Sequence, residues 1–381
     1  MAHLQLCSPT QQLPKDIQVP SCGDSWFGSV DYMKTSLKAG VQLASSSVLI
    51  SGDGAGWALD EEAVELKRAL RRSGLKVSEN GFLPAQAVFH MNRGKCLRNV
   101  LMGEGLYHGR VGMSYFHGNP GTTKNFKEMF ERLRKTKPLI HGIRVSTLEM
   151  ESLLLNAGFE NKVQRIPIGI DVNRFPFRGV EDMVLARERF GIPPGKIVVG
   201  NFQKDGDGWK GGDEPKLVKG PDILADALIM LAKDFPDLLV LLAGPSRGYL
   251  TRRLSEAGIS FINCGVVDSE EVPLLYQALD IYMVASREEG GPKAFLESFA
   301  TGVKLISSPV GQIVDLADSE SAWISSRADA EELAALASQA LNSGPLNPKI
   351  TRAREIAEAN TYQKLDRSWR EFFSQKLGVT A

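Results

Sequence analysis

The sequence predicts an α/β protein with mostly parallel sheets, built from two successive series of strands and helices. Three observations carry this. Short apolar strands alternate with amphipathic helices over most of the chain, and parallel pairing of such strands requires helical crossovers. Residues 237–244, DLLVLLAG, are almost continuously apolar, the pattern of a strand covered on both faces. The chain has 381 residues and 43% hydrophobic content, enough for two domains with separate cores.

Residues 1–40 mix Pro, Ser, Gly and aromatics without periodicity and read as an arm or irregular lead-in. ASSSVLIS, 44–51, is the first strand, followed by the turn-rich loop SGDGAGW with Gly52, Asp53 and Gly54. In DEEAVELKRALRRSG, 60–74, Asp60 caps a helix, Ala63, Leu66 and Leu70 share a face, and Gly74 ends it. Strand, glycine loop and helix form the opening unit of a nucleotide-binding type of α/β domain. GDGAG misses the GxGxxG register of a dinucleotide site, so a plain turn explains it equally well and an NAD dehydrogenase is disfavoured. VGMSYFHG, 111–118, is a strand with His117 just beyond it. PLIHGIRVS, 138–146, is another, with Arg144 and Ser146 at its end, followed by the helix TLEMESLLLNAG. KVQRIPIGIDVNRF, 162–175, runs from strand into loop. Charge then rises and GIPPGK punctuates the chain, placing a domain junction around 175–195.

The second series opens with the strand KIVVGNF, 196–202, and a polar loop over 203–220. PDILADALIMLAKDF follows as a helix with Pro221 in its first turn. DLLVLLAG, RGYLTRRLSEAG, ISFINCG, EVPLLYQAL, DIYMVAS, a helix after Gly291 and VKLISSP continue the alternation. Helices are predicted over 329–342 and 348–359. A last helix near 361–377 carries Tyr362, Leu365, Trp369 and Phe372 at three- and four-residue spacing, an apolar face that must bury and that suits a return to the first domain. The resulting division is 1–180, 181–360 and a returning helix in 361–381.

Lys plus Arg and Asp plus Glu number 45 each, which gives no electrostatic case for a nucleic-acid partner. The basic cluster KRALRR, 67–72, reads as a helix end with cations near its C-terminus, the alternative being contact with phosphate or an anionic bilayer. Four cysteines, Cys7, Cys22, Cys96 and Cys264, share no short spacing and fit a reducing compartment. There is no run of 18 apolar residues and no signal-peptide layout, so the expectation is a cytoplasmic protein, with weak peripheral membrane association as a secondary possibility. Oligomeric state stays open.

The stretch EEGGPKAFLE, 288–297, is the main candidate site. It follows the strand ending at VAS, and ligands of open parallel sheets bind beyond the C-terminal strand ends. Backbone N–H groups near Gly291 suit the oxygens of a diphosphate or a sugar hydroxyl, and the glycines permit close approach. Phe295 and Phe299 share one helix face; Glu297 points roughly the other way, where a carboxylate can accept from a vicinal diol such as ribose. Glu289 lies in the loop, nearer a transferred group. Spacing alone leaves a pair of surface acids as an equal alternative.

The segment from Glu289 to Glu297 resembles the E-x7-E motif of retaining glycosyltransferases with two facing Rossmann-like domains, the GT-B fold, and specifically family 4. IPIGIDVNRF, KGPDILADAL, LLVLLAGP, EVPLLYQALDIYMVAS and ESFATGVKLISSPVGQIVDL are similar to the same family, from about 138 to 320, with a looser match before. The resemblance implies that Glu297 holds the nucleotide ribose and that Glu289 stands near the transferred sugar and donor phosphates. It also implies that Gly290 and Gly291 approach the donor, that Lys219 neutralises diphosphate charge, and that His117 meets the sugar. Glu289, His117 and Lys219 form the implied catalytic set. Where the family often has Gly-Arg-Leu, this chain has Gly200, Asn201 and Phe202; Lys204 is the candidate to replace that arginine. Ser246 and Arg247 are candidates for the base or phosphate, Gly52, Asp53 and Gly54 for a cleft loop, and His90 is a weaker one. No DxD-like pair sits at a strand end, so neither metal nor cofactor is expected. The implied partners are a nucleoside-diphosphate sugar and a carbohydrate or glycoconjugate acceptor. The alternatives are a sugar-nucleotide 2-epimerase of similar fold and a catalytically silent carbohydrate-binding or scaffold protein.

Overall fold

Apolar stretches of a few residues, most of them leading into a helix, assemble into two six-stranded sheets whose paired strands all run parallel. The computed structural model describes residues 47–54, 58–79, 85–103, 108–206, 212–345 and 347–380. The lead-in, Cys7 and Cys22 lie outside these residues.

The first sheet has β1 (Ser47–Ser51), β2 (Lys76–Ser78), β3 (Ala87–His90), β4 (Arg110–Ser114), β5 (Gly142–Val145) and β6 (Val163–Arg165), in the order β2-β1-β3-β4-β5-β6. The second has β7 (Ile197–Asn201), β8 (Leu238–Leu242), β9 (Ser260–Asn263), β10 (Ile281–Val284), β11 (Lys304–Ser307) and β12 (Trp323–Ile324), in the order β12-β11-β10-β7-β8-β9. Each sheet carries an apolar cluster on either face, and β8 is buried at all its positions, as its unbroken apolar sequence requires. The two facing Rossmann-like units predicted from the sequence are therefore present.

Several details differ from the sequence prediction. The strand expected over 111–118 ends at Ser114, which leaves His117 and Gly118 in a loop. The strand expected over 138–146 begins with a 3-10 turn at Lys137–Leu139, where Pro138 cannot donate to a ladder. The unpredicted helices Arg93–Leu101 and Lys124–Thr136 start at side-chain caps from Asn92 and Thr123. β3 and the helix Val180–Arg189 also lay unpredicted, β3 because its four residues are too few to show a period.

The C-terminal segment is a 3-10 turn, Tyr362–Leu365, followed by the helix Asp366–Gln375. It packs back on the first sheet as its apolar face demanded. Phe89 of β3 meets Trp369 and Phe372 edge-on, with ring centroids 5.6 and 5.5 Å apart. The basic cluster is largely paired: Lys67 and Arg71 contact Glu79, Arg68 contacts Glu65, and Arg72 makes a two-pronged contact with Asp366 at 2.7 and 2.8 Å. Among the described residues no helix is long and apolar enough to cross a membrane.

Candidate functional site

The C-terminal ends of strands from both sheets open onto one cleft of about 870 Å³. β10 ends at Val284, and residues 285–292 loop into it before the helix Lys293–Thr301. Glu289 hangs from this loop, only 8% exposed. Its carboxylate accepts from Lys219 Nζ at 2.6 and 2.7 Å, from Gln203 Nε2 at 2.8 Å and from Ser286 Oγ at 2.9 Å. Lys219 arrives on the 3-10 turn Leu217–Lys219, immediately before the helix Pro221–Asp234. An acid and a cation from separate crossover loops thus meet where β7 and β10 end, side by side in the sheet.

Glu297 sits one turn into this helix. Phe295 and Phe299 of its helix stack edge-on at 5.5 Å inside the core, while Glu297 faces the cleft and accepts from the Tyr276 hydroxyl at 2.7 Å. Burial pushes the Glu297 carboxyl above its ordinary range, opposed by the nearby Lys293 ammonium and by the Tyr276 bond. Tyr276 belongs to an aromatic group with Phe202 and Tyr282, at 5.0 and 5.3 Å, that lines the same wall.

The opposite wall comes from the first sheet. His117 lines it and packs edge-on against Phe126. Burial, reinforced by the charges of Arg93, Lys219 and Lys216, holds its imidazole well below the ordinary histidine range, so it is neutral near pH 7. Glu61 and Glu62, in the first turns of the helix Ala58–Arg72, also line the cleft. Glu61 pairs with Lys293 at 2.7 Å across the cleft, and Glu62 accepts from the Tyr362 hydroxyl at 2.8 Å.

The walls touch at the Gly290 loop. A Cβ on Gly290 would lie 2.4 Å from the Phe116 carbonyl oxygen, so only glycine allows this approach. Ser146 Oγ donates to the Gly290 carbonyl. Glu288, 8% exposed, accepts from the amides of Gly118 and Asn119 at 2.7 and 2.9 Å. Gln312 exchanges two hydrogen bonds with the Ile168 backbone, at 2.9 and 3.2 Å. Arg144 is fully buried and donates to the Ile166 and Pro167 carbonyls, a structural role; burial lowers its pKa to about 10.

The cleft therefore collects Glu289, Glu297, Lys219, His117, Gly290 and Gly291. It does not collect every residue picked from the sequence. Lys204, Ser246, Arg247, His90, Gly52, Asp53 and Gly54 are not among its lining residues. Arg247 is buried beneath the end of β7, paired with Asp205 at 3.2 Å and donating to the Asn201 carbonyl and Oδ1 at 3.1 and 2.9 Å. The Ser246 carbonyl instead accepts the Gly206 amide. The Gly52 carbonyl accepts from Lys95 Nζ and the Gly54 amide donates to Asp60; the rest of that loop, 55–57, lies outside the described residues. Sequence reasoning missed Arg93, Lys293, Glu61, Glu62, Glu288 and Tyr276. Lys293 had a signal, since it lies inside the motif four residues before Glu297. Glu288 likewise lies in the stretch 288–297 beside Glu289, whereas Arg93, Glu61, Glu62 and Tyr276 come from elements whose faces are indistinguishable until the halves are docked.

Residues 212–343 match the family model described as glycosyl transferases group 1. The chain is 31% identical over 157 residues to the lipopolysaccharide core biosynthesis mannosyltransferase LpsB of Rhizobium meliloti, covering 39% of this chain and 41% of that protein. It is 31% identical over 172 residues to a D-inositol 3-phosphate glycosyltransferase of Salinispora arenicola, covering 40% of this chain and 36% of that one. The chain thus spans less than half the length of these relatives. Among solved structures it resembles Anabaena HepE in complex with UDP-glucose, with a TM-score of 0.69 at 13% identity over 86% of this chain and 99% of that one. At such identity the likeness is one of fold. The chain has the GT-B fold, and its residues 212–343 match the group 1 glycosyl transferase family model.

Proposed function

We propose that the protein is a retaining glycosyltransferase that moves a sugar from a nucleoside diphosphate to an acceptor hydroxyl. The observation that carries this is the Lys219–Glu289 pair beside Gly290 and Gly291, at the strand ends of the half that matches the group 1 family. The amides of Gly290 and Gly291 make no hydrogen bond to any described residue. With Lys219 they supply donors for the charge that develops on a departing diphosphate. Glu297, fixed by Tyr276, presents a carboxylate to the ribose diol. The second half then takes residues 181–360 and holds the donor, while residues 1–180 of the first half hold the acceptor.

In this reaction the bond from the anomeric carbon to the diphosphate oxygen breaks, and a bond from that carbon to the acceptor oxygen forms on the same face. The acceptor proton passes to the leaving phosphate oxygen, so no protein nucleophile is needed. Neutral His117 contributes hydrogen bonding without adding a second positive charge beside the sugar. The contacts between the Gly290 loop and Phe116 exclude water that would otherwise act as acceptor.

The test is calorimetry with UDP, GDP and ADP together with single-turnover transfer from the matching sugar nucleotides. Glu297→Ala weakens donor binding, whereas Glu289→Ala mainly slows transfer. Equal donor affinity in Glu297→Ala and the wild type would sink the ribose assignment. Conversion of the donor sugar without any acceptor would point to an epimerase instead.

A further inference from the structure

Among the described residues, the lysines and arginines lining the cleft are Lys219, Lys293 and Arg93. Lys219 is paired with Glu289 and Lys293 with Glu61. Arg93 has neither an ion pair nor a hydrogen bond to any described residue. It is held by shape. Its guanidinium carbon lies 4.9 Å from the Tyr115 ring centroid and 5.3 Å from that of Phe126. Another side rests on Gly118, where a Cβ would stand 2.9 and 3.0 Å from the two terminal nitrogens. Glu288 is the opposing charge in the neighbourhood, but its Oε1 is engaged by the Gly118 and Asn119 amides and forms no ion pair with Arg93. Burial works against the guanidinium charge and lowers its pKa.

Two aromatic rings and a glycine therefore hold a planar fork of five donors on a concave wall, with none of them used by a described residue. Such a fork matches the paired oxygens of a carboxylate or a phosphate. Arg93 also opens the helix Arg93–Leu101, where Asn92 caps the Lys95 amide and the helix dipole favours an anion. The donor groups Lys219, Glu297, Gly290 and Gly291 all belong to the second half, whereas Arg93 follows β3 of the first half, next to His117 on the cleft wall.

We propose that Arg93 binds an anionic group, phosphate or carboxylate, carried by the acceptor and held bidentately beside His117. This rests on the glycosyl-transfer reading, which places the acceptor on the first half.

The test uses the full chain saturated with whichever of UDP, GDP or ADP raises its melting temperature, with inorganic phosphate then titrated in. In the wild type, phosphate raises the melting temperature further by about 2–4 °C, and in Arg93→Gln by less than about 1 °C. Arg93→Lys, which keeps the charge without the fork, falls between. The nucleoside-diphosphate dissociation constant in Arg93→Gln stays within roughly threefold of the wild type. An equal phosphate response in wild type and Arg93→Gln, or none in the wild type, overturns the proposal. So does a loss of nucleotide affinity of about tenfold or more in Arg93→Gln, which would put the cation on the donor. If no nucleotide binds the wild type, the glycosyl-transfer reading fails; phosphate is then titrated alone, with Lys219→Met as control, and still decides the anion site.

Discussion

Lys219 Nζ lies 2.6 and 2.7 Å from the two carboxylate oxygens of Glu289, so the principal cation and acid of the cleft form a closed pair. A diphosphate must share or displace that carboxylate. The two residues should therefore respond in opposite ways to replacement. Lys219→Met weakens nucleoside-diphosphate binding by about 10- to 100-fold, the worth of one charge-assisted hydrogen bond. Glu289→Gln keeps the bond acceptor but releases the lysine charge, so nucleotide binding holds or tightens while transfer slows by roughly 100-fold. Calorimetry and single-turnover kinetics read these separately; parallel losses of binding in both variants would contradict the pairing.

The Gly290 loop should set the closure of the cleft. In Gly290→Ala the new methyl collides with the Phe116 carbonyl, which is backbone and cannot rotate away. The collision lies between the halves, not inside either core. The expected outcome is a folded protein with a larger radius of gyration by small-angle scattering and transfer reduced by about 100-fold or more. Glu288→Ala removes two bonds between the same walls and should shift both readouts in the same direction, less strongly. An unchanged radius and rate in Gly290→Ala would show that the contact is not needed.

Asp205 gives a pH prediction. Burial raises its carboxyl from 3.8 to about 6 despite its Arg247 partner. The native state then keeps a proton that the unfolded chain releases at lower pH. Its contribution is fully favourable below about pH 4 and is lost as pH rises through about 6, worth roughly 3 kcal/mol. Asp205→Asn should flatten this dependence. Melting temperatures of wild type and variant from pH 4 to 7 test it; the variant should gain on the wild type across the window, and a constant difference would refute the shift.

The returning helix should matter to the first sheet. Phe372 is fully buried and meets Phe89 edge-on at 5.5 Å. Phe372→Ala leaves a cavity and should cost about 3–5 kcal/mol. Chemical denaturation followed by tryptophan fluorescence reports it through Trp369, which lies 5.9 Å from Phe372.

How far the sequence reached is clearest in particular elements. β8 was legible because a strand buried on both faces is apolar throughout, and the returning helix because its aromatics repeat every three or four residues. β3 was not, since a run of four residues fits strand and helix equally. Glu289 and Glu297 stood out in local patterns, a glycine loop and a carboxylate opposite an aromatic face, whereas Lys219 was named through the family resemblance of its Lys-Gly segment. Arg247 lies outside the cleft lining because charge type does not reveal direction; it turns under β7 toward Asp205 and Asn201.

The sequence by itself determined the alternation of strands and helices, the covering of both sheets and the local form of the Gly290 loop, all consequences of short-range periodicity and backbone sterics. Only the tertiary structure decided which charges share the cleft. Glu61 reaches Lys293 across 232 positions of chain and Glu288 reaches Gly118 across 170, while Arg93 is left, among the described residues, without an ion pair or hydrogen bond between two rings and a glycine. Those relationships depend on how the two sheets dock, and no local pattern of residues encodes that distance.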